Sequence, residues 1–139
     1  MQRRIVAIIC GFIVQFAGLL LIHSVWLKSD YVATAAIWRS PAEQSARIWA
    51  MLAAILFYVI GAVLLYKPAQ NQFWIVSGLR FGALLAMIAV VYGSLSGWVI
   101  LPIPHLLAMK WIIGEGLLSL VFGMLVAGLL RDTAFSELV

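Results

Sequence analysis

Hydrophobic residues fall in four long blocks separated by short polar breaks, a pattern that predicts four membrane-spanning helices. The first block, Ile5 to Trp26, follows Arg3 and Arg4 and is long enough to cross a hydrocarbon core of about 30 Å. A cleaved signal peptide also begins with basic residues, but its apolar part is shorter and leads to a small-residue cleavage site. Here His23, Trp26 and Lys28 close the block, so a retained helix is expected over about 5–26. An outer loop over 27–40 follows, in which Asp30 is expected to cap a short interfacial helix from Tyr31 to Trp38. Ser40-Pro41-Ala42-Glu43 is a capping box with proline at the first helical position. It starts a second helix over 41–66, which Lys67-Pro68 stops. A polar link from Lys67 to Gln72 leads to a third helix over 73–98, and the segment Leu101-Pro102-Ile103-Pro104-His105 separates it from a fourth over 107–130. That helix ends at Arg131-Asp132, and the tail beyond is too short to be a domain. The fold class that follows is all-α: one polytopic membrane domain of four transmembrane helices in an antiparallel bundle.

Composition strengthens this picture. Of 139 residues, 65% are hydrophobic and 10% charged, where a soluble domain carries about a quarter charged. Mean hydropathy is +1.12, so the lipid bilayer is the chain's first partner. The net charge of +4 comes from Lys and Arg scattered singly at helix ends, which suits anchoring at headgroups and forms no basic stripe for nucleic acid. Cys10 is alone inside the first apolar block and reads as a small apolar filler, with no disulfide framework or thiolate cluster.

Packing follows from small residues at helical spacing. The third helix carries Gly78, Gly82, Ala86, Ala89, Gly93 and Gly97, and the fourth carries Gly116, Ser119, Gly123 and Ala127. Two such stripes let backbones approach closely, which in lipid supplies contact that hydrophobicity cannot. The third and fourth helices are expected to be the tightest pair, and the same stripes suit dimerisation. Four spans put both termini on one side. Basic residues there are Arg3, Arg4, Lys67, Arg80 and Arg131, against Lys28, Arg39, Arg47 and Lys110 opposite, nearly a tie. The pair ahead of the first helix decides for cytoplasmic termini, with the 27–40 loop outside.

Trp26 closing the first helix, Leu56-Phe57-Tyr58 with Gly61 in the second, Gly78-Leu79-Arg80-Phe81-Gly82 opening the third and Tyr92-Gly93 beyond give a recognisable layout. Over about residues 11–130 it resembles small bacterial four-helix integral membrane proteins of unknown function. The resemblance implies a fold and a bacterial inner membrane, and no reaction. Where that family often has Asp or Asn late in the third helix and Asp in the fourth, this chain has Gly93-Ser94 and Gly114-Glu115.

Glu115 is the one acid well inside an apolar helix, about 7 Å along the axis from Lys110. The same depth on the first helix holds His23 and Ser24, and on the third Tyr92, Ser94 and Ser96. An acid, a histidine and hydroxyls in one layer make either a structural polar network or a proton or ligand site, with Glu115, His23, Tyr92 and Ser94 as its candidates. Gln15, midway along the first helix, is expected to seek an interhelical hydrogen bond. His105 with His23 is a remote pairing for haem, and the spacing of His23, His105 and Glu115 defines no metal-ligand set. Phosphate loops, nucleophile elbows and HExxH motifs do not occur, so no cofactor is expected and soluble-type hydrolysis is disfavoured. Three readings remain. The first is an accessory or stabilising subunit of a larger membrane complex. The second is a small oligomeric transporter or channel with a Glu115–His23 site. The third is a membrane enzyme acting on a lipid or quinone.

Overall fold

The computed structural model describes residues 1–68 and 73–131; the middle of the expected link, 69–72, and the tail from Asp132 lie outside the described residues. Among the described residues there is no strand, and four helices are long and apolar enough to cross a membrane. They are the first span Gln2–Trp26, the second Ile48–Leu65, the third Trp74–Ile100 and the fourth His105–Leu130. Their ends follow the stop signals in the sequence. Pro104 sits at the N-cap of the fourth span, and extended backbone at Leu101 closes the third.

Two expected elements differ. The capping box forms, with Ser40 accepting from the Glu43 backbone and Glu43 accepting from the Ser40 backbone. The helix it starts, however, runs only from Pro41 to Ser45 before a turn at Ala46-Arg47. Arg47 donates its guanidinium to the Glu43 carbonyl, and its backbone N–H turns instead to Gln44. A side chain has taken the acceptor that would have carried the helix on. The interfacial segment likewise divides into Lys28–Ala33 and a 3₁₀ turn, Ala35–Ile37, and Asp30 lies inside the first turn instead of capping it. Its carboxylate is drawn to Lys110 instead.

The first span ends in a π-helical turn, Ile22–Trp26, and the third contains another at Ala86–Val91. A π turn inserts a residue into the helical repeat and rotates everything beyond it. The consequence shows in the small-residue stripe. Before that turn, Gly78 and Gly82 lie against the fourth span so closely that a Cβ at Gly123 would come within 2.4 Å of the Gly78 carbonyl. After it, Gly93 meets nothing within 4 Å and Gly97 only Trp111, while Gly116 on the fourth span is also open. The expected stripe is thus a close backbone contact at Gly78, Gly82 and Gly123 and a looser one at Gly97, against the Trp111 ring of the fourth span, and it packs on nothing at Gly93 or Gly116.

The core centres on Phe122, fully buried among Ala7, Val59, Val63 and Val126 of the first, second and fourth spans. The second and third spans meet through Tyr66, whose hydroxyl hydrogen-bonds Ser77 at 3.0 Å and whose ring packs on Phe81. Arg3 donates to the Arg131 carbonyl, which brings the start of the first span beside the end of the fourth. A second, smaller cluster of Ile22, Leu27 and Leu107 lies under Tyr31, Trp38 and Trp111 and fastens the 28–38 segment as a cap over the start of the fourth span.

Candidate functional site

Trp111 and Glu115 are four residues apart on the fourth span, so they rise from one face of it, one turn above the other. His23 comes to that face from the π turn of the first span, and Tyr31 from the capping segment. Together they form a continuous line of polar contacts. The Trp111 indole N–H donates to the Tyr31 hydroxyl at 2.8 Å, and that hydroxyl lies 2.6 Å from His23 Nδ1. His23 Nε2 in turn lies 3.2 Å from a Glu115 carboxylate oxygen. With Nδ1 unprotonated, the Tyr31 hydroxyl donates to it while accepting from Trp111. The neutral imidazole then carries its hydrogen on Nε2 and donates it to Glu115.

The line is held in place by its neighbours. Lys110 places its ammonium 2.8 Å from both carboxylate oxygens of Asp30, tying the fourth span to the residue beside Tyr31. Trp38 packs edge-on against Tyr31 and tilts against Trp111, while its indole N–H is used by Thr34. Burial pushes the Tyr31 hydroxyl up to about 12, and the nearby charges of Glu115 and Asp30 add to this while the Trp111 hydrogen bond partly offsets it. Tyr31 therefore keeps its proton at neutral pH and serves as donor. Glu115 also lines a cleft of about 270 Å³, so one residue borders both the His23 imidazole and that space.

Of the four candidate residues, the structure joins Glu115 and His23 directly. Tyr92 is 74% exposed and Ser94 is buried, and neither hydrogen-bonds the line. What the third span presents to Glu115's cavity is Ala89 and Val90, from within its π turn. Ser119 donates to the Glu115 backbone carbonyl. Both His23 nitrogens are engaged, by Tyr31 and Glu115, and His105 is exposed at the start of the fourth span. Sequence reasoning missed Tyr31, Trp111 and the Asp30–Lys110 pair. The i, i+4 spacing of Trp111 and Glu115 was a usable signal; the return of the 28–38 segment over the fourth span was not. Gln15 departs from expectation as well: its Nε2 is buried without a hydrogen-bond partner among the described residues.

No protein-family model, curated protein or solved structure matches the chain.

Proposed function

We propose that this is a bacterial inner-membrane protein, an antiparallel four-helix bundle with cytoplasmic termini, that works as a small transporter or channel exchanging a proton at Glu115. The observation that carries the reading is the unbroken line from the partly exposed Tyr31 through His23 to Glu115, which ends at a cleft within the apolar spans. A carboxylate within an apolar span is costly to maintain, and a site that loads and unloads a proton is a reason to keep one there. The resting tautomer is set for inward delivery. A proton moves from the Tyr31 hydroxyl to Nδ1 as the Nε2 proton passes to Glu115, and water at the cap restores Tyr31. The net change is one proton from water to Glu115, with hydroxide left in the water at the cap and His23 left neutral with its hydrogen on Nδ1; a flip of the imidazole ring restores the starting tautomer. The register of Gly78 with Met124 and Gly82 with Ser119 supports opposite directions for the third and fourth spans. The test is purified protein in vesicles with an entrapped pH dye. An imposed pH step should dissipate faster than in empty vesicles, and Glu115→Gln and His23→Leu should each remove the difference. Equal rates in wild type and both variants would refute the proposal.

A second reading, an accessory subunit or a homo-oligomer, is favoured by one feature. Gly61, Gly93 and Gly116 have open space beside them, and Phe57, one turn before Gly61, and Tyr92, next to Gly93, are 72% and 74% exposed. Another helix would seat there. Mild extraction followed by native mass spectrometry separates the cases, since a stoichiometric partner supports this reading and a lone monomer opposes it.

A further inference from the structure

The cavity that reaches Glu115 has a second polar feature, which the proton line does not use. Gln15 is 5% exposed and lines the cavity, and its Nε2 has no hydrogen-bond partner among the described residues; Tyr58 lines the same cavity, and its hydroxyl is buried and likewise without a partner among them. The Ser119 hydroxyl is the neighbour nearest to serving Tyr58, but it donates its proton to the Glu115 backbone carbonyl and makes no hydrogen bond of good geometry with the phenol. Two unsatisfied polar groups facing one space are unusual in any fold and costlier within hydrocarbon, where water is not available to substitute. Glu115 and Ser119 complete the polar part of the lining, and the rest of the wall is apolar.

The place of the cavity limits what enters it. Gln15 stands midway between Arg4 and Trp26, about 16 Å along the helix axis from each, and so at the middle of a bilayer about 30 Å thick. The second and third spans are joined at one end by Tyr66 with Ser77 and Phe81. Toward the cap, exposed Met51 and Ala89 of the same two spans flank the cavity, so it opens sideways between them, toward lipid. At 270 Å³ it exceeds the roughly 150 Å³ cavity known to take a benzene ring and falls short of a whole lipid.

We propose that this lateral cleft binds the carbonyl-bearing ring of a membrane-dissolved lipophile of the quinone class. Gln15 Nε2 and the Tyr58 hydroxyl donate to the ring, and its tail runs out between the second and third spans. The Gln15 amide nitrogen is a donor only and Tyr58 is able to donate, so the head they select is an acceptor. A glycerolipid ester offers the same acceptor, but its carbonyls lie near the headgroups and not at the bilayer centre. The cleft shares Glu115 with the proton site and does not depend on it, because its donors are other residues.

The test uses the full chain in phosphatidylcholine nanodiscs with a ring-azido derivative of decylubiquinone as photolabel. Labelling should map to the peptides carrying Gln15, Met51, Tyr58 and Ala89. Excess decylubiquinone should compete it away, while methyl decanoate, the ester control, should not. Gln15→Leu and Tyr58→Phe should each weaken binding by about tenfold, the worth of one hydrogen bond. Thermal stability without ligand should hold or rise, because an unsatisfied buried group has been removed. Met51→Trp, which narrows the mouth without touching the donors, should block labelling. Labelling unchanged by all three variants, equal competition by the ester, or loss of stability in both donor variants would each overturn the proposal. A proton-flux result does not bear on it, since every one of these variants keeps Glu115 and His23.

Discussion

A methyl group added at Gly123 should cost the protein far more than the same group added at Gly116, although both glycines lie on the fourth span. A Cβ at Gly123 would lie 2.4 Å from the Gly78 carbonyl, 2.5 Å from the Gly82 nitrogen and 2.6 Å from the Gly82 Cα. All three are backbone atoms, so no side chain can swing away and the helices must separate by about 1 Å to restore ordinary contact. Overpacking of this kind costs about 1–3 kcal/mol. Replacing glycine by alanine within a helix returns about 1 kcal/mol at either site. At Gly116 nothing lies within 4 Å, so only that gain operates. Gly116→Ala should therefore be neutral or stabilising, and Gly123→Ala less stable than it by about 1–3 kcal/mol. Unfolding in mixed micelles by a graded anionic detergent, followed by circular dichroism, measures both. Equal stabilities would refute the assignment of Gly78, Gly82 and Gly123 as the contact that joins the third and fourth spans.

Other consequences are open to measurement. Tyr66→Phe removes the buried hydrogen bond to Ser77 and should lower stability by about 1 kcal/mol in the same detergent assay; no change would mean that the bond is idle. Lys110→Met breaks a partly exposed ion pair with Asp30, so the stability loss should stay at or below about 1 kcal/mol while hydrogen exchange over 28–38 quickens; unchanged exchange there would show that the cap is held by packing alone. Tyr31 is protonated more readily in the folded state than in the unfolded one, so its contribution is intact below pH 10 and declines as pH rises from about 10 to about 12. In an ultraviolet tyrosinate titration, the last phenol to ionise should vanish in Tyr31→Phe; its persistence would contradict the burial of Tyr31.

The spans were legible because lipid-facing helices need long apolar runs, and Pro68, Pro102 and Pro104 punctuate them. His23 and Glu115 were legible together because matched depth on two helices is simple arithmetic on helical rise. Tyr92 and Ser94 share that depth, but depth carries no rotation, and the π turn at Ala86–Val91 turned the third span without a proline or other sequence mark. Gly93 fell out of the packing stripe for the same reason. Tyr31 was hidden differently: its role depends on the capping segment folding back onto Trp111, a contact spanning 80 residues that no local pattern encodes. Tyr58 was visible only as part of a motif, and Gln15 was read as glue, because an unpartnered amide is recognised only once its neighbours are known.

The central claim is that Glu115 takes its proton through His23. Infrared difference spectroscopy of the protein in vesicles, recorded as the pH is lowered, tests it most directly. A carboxylic acid C=O band should grow, be absent in Glu115→Gln, and shift in frequency in His23→Leu. A Glu115 band of the same frequency with and without the imidazole would contradict the account.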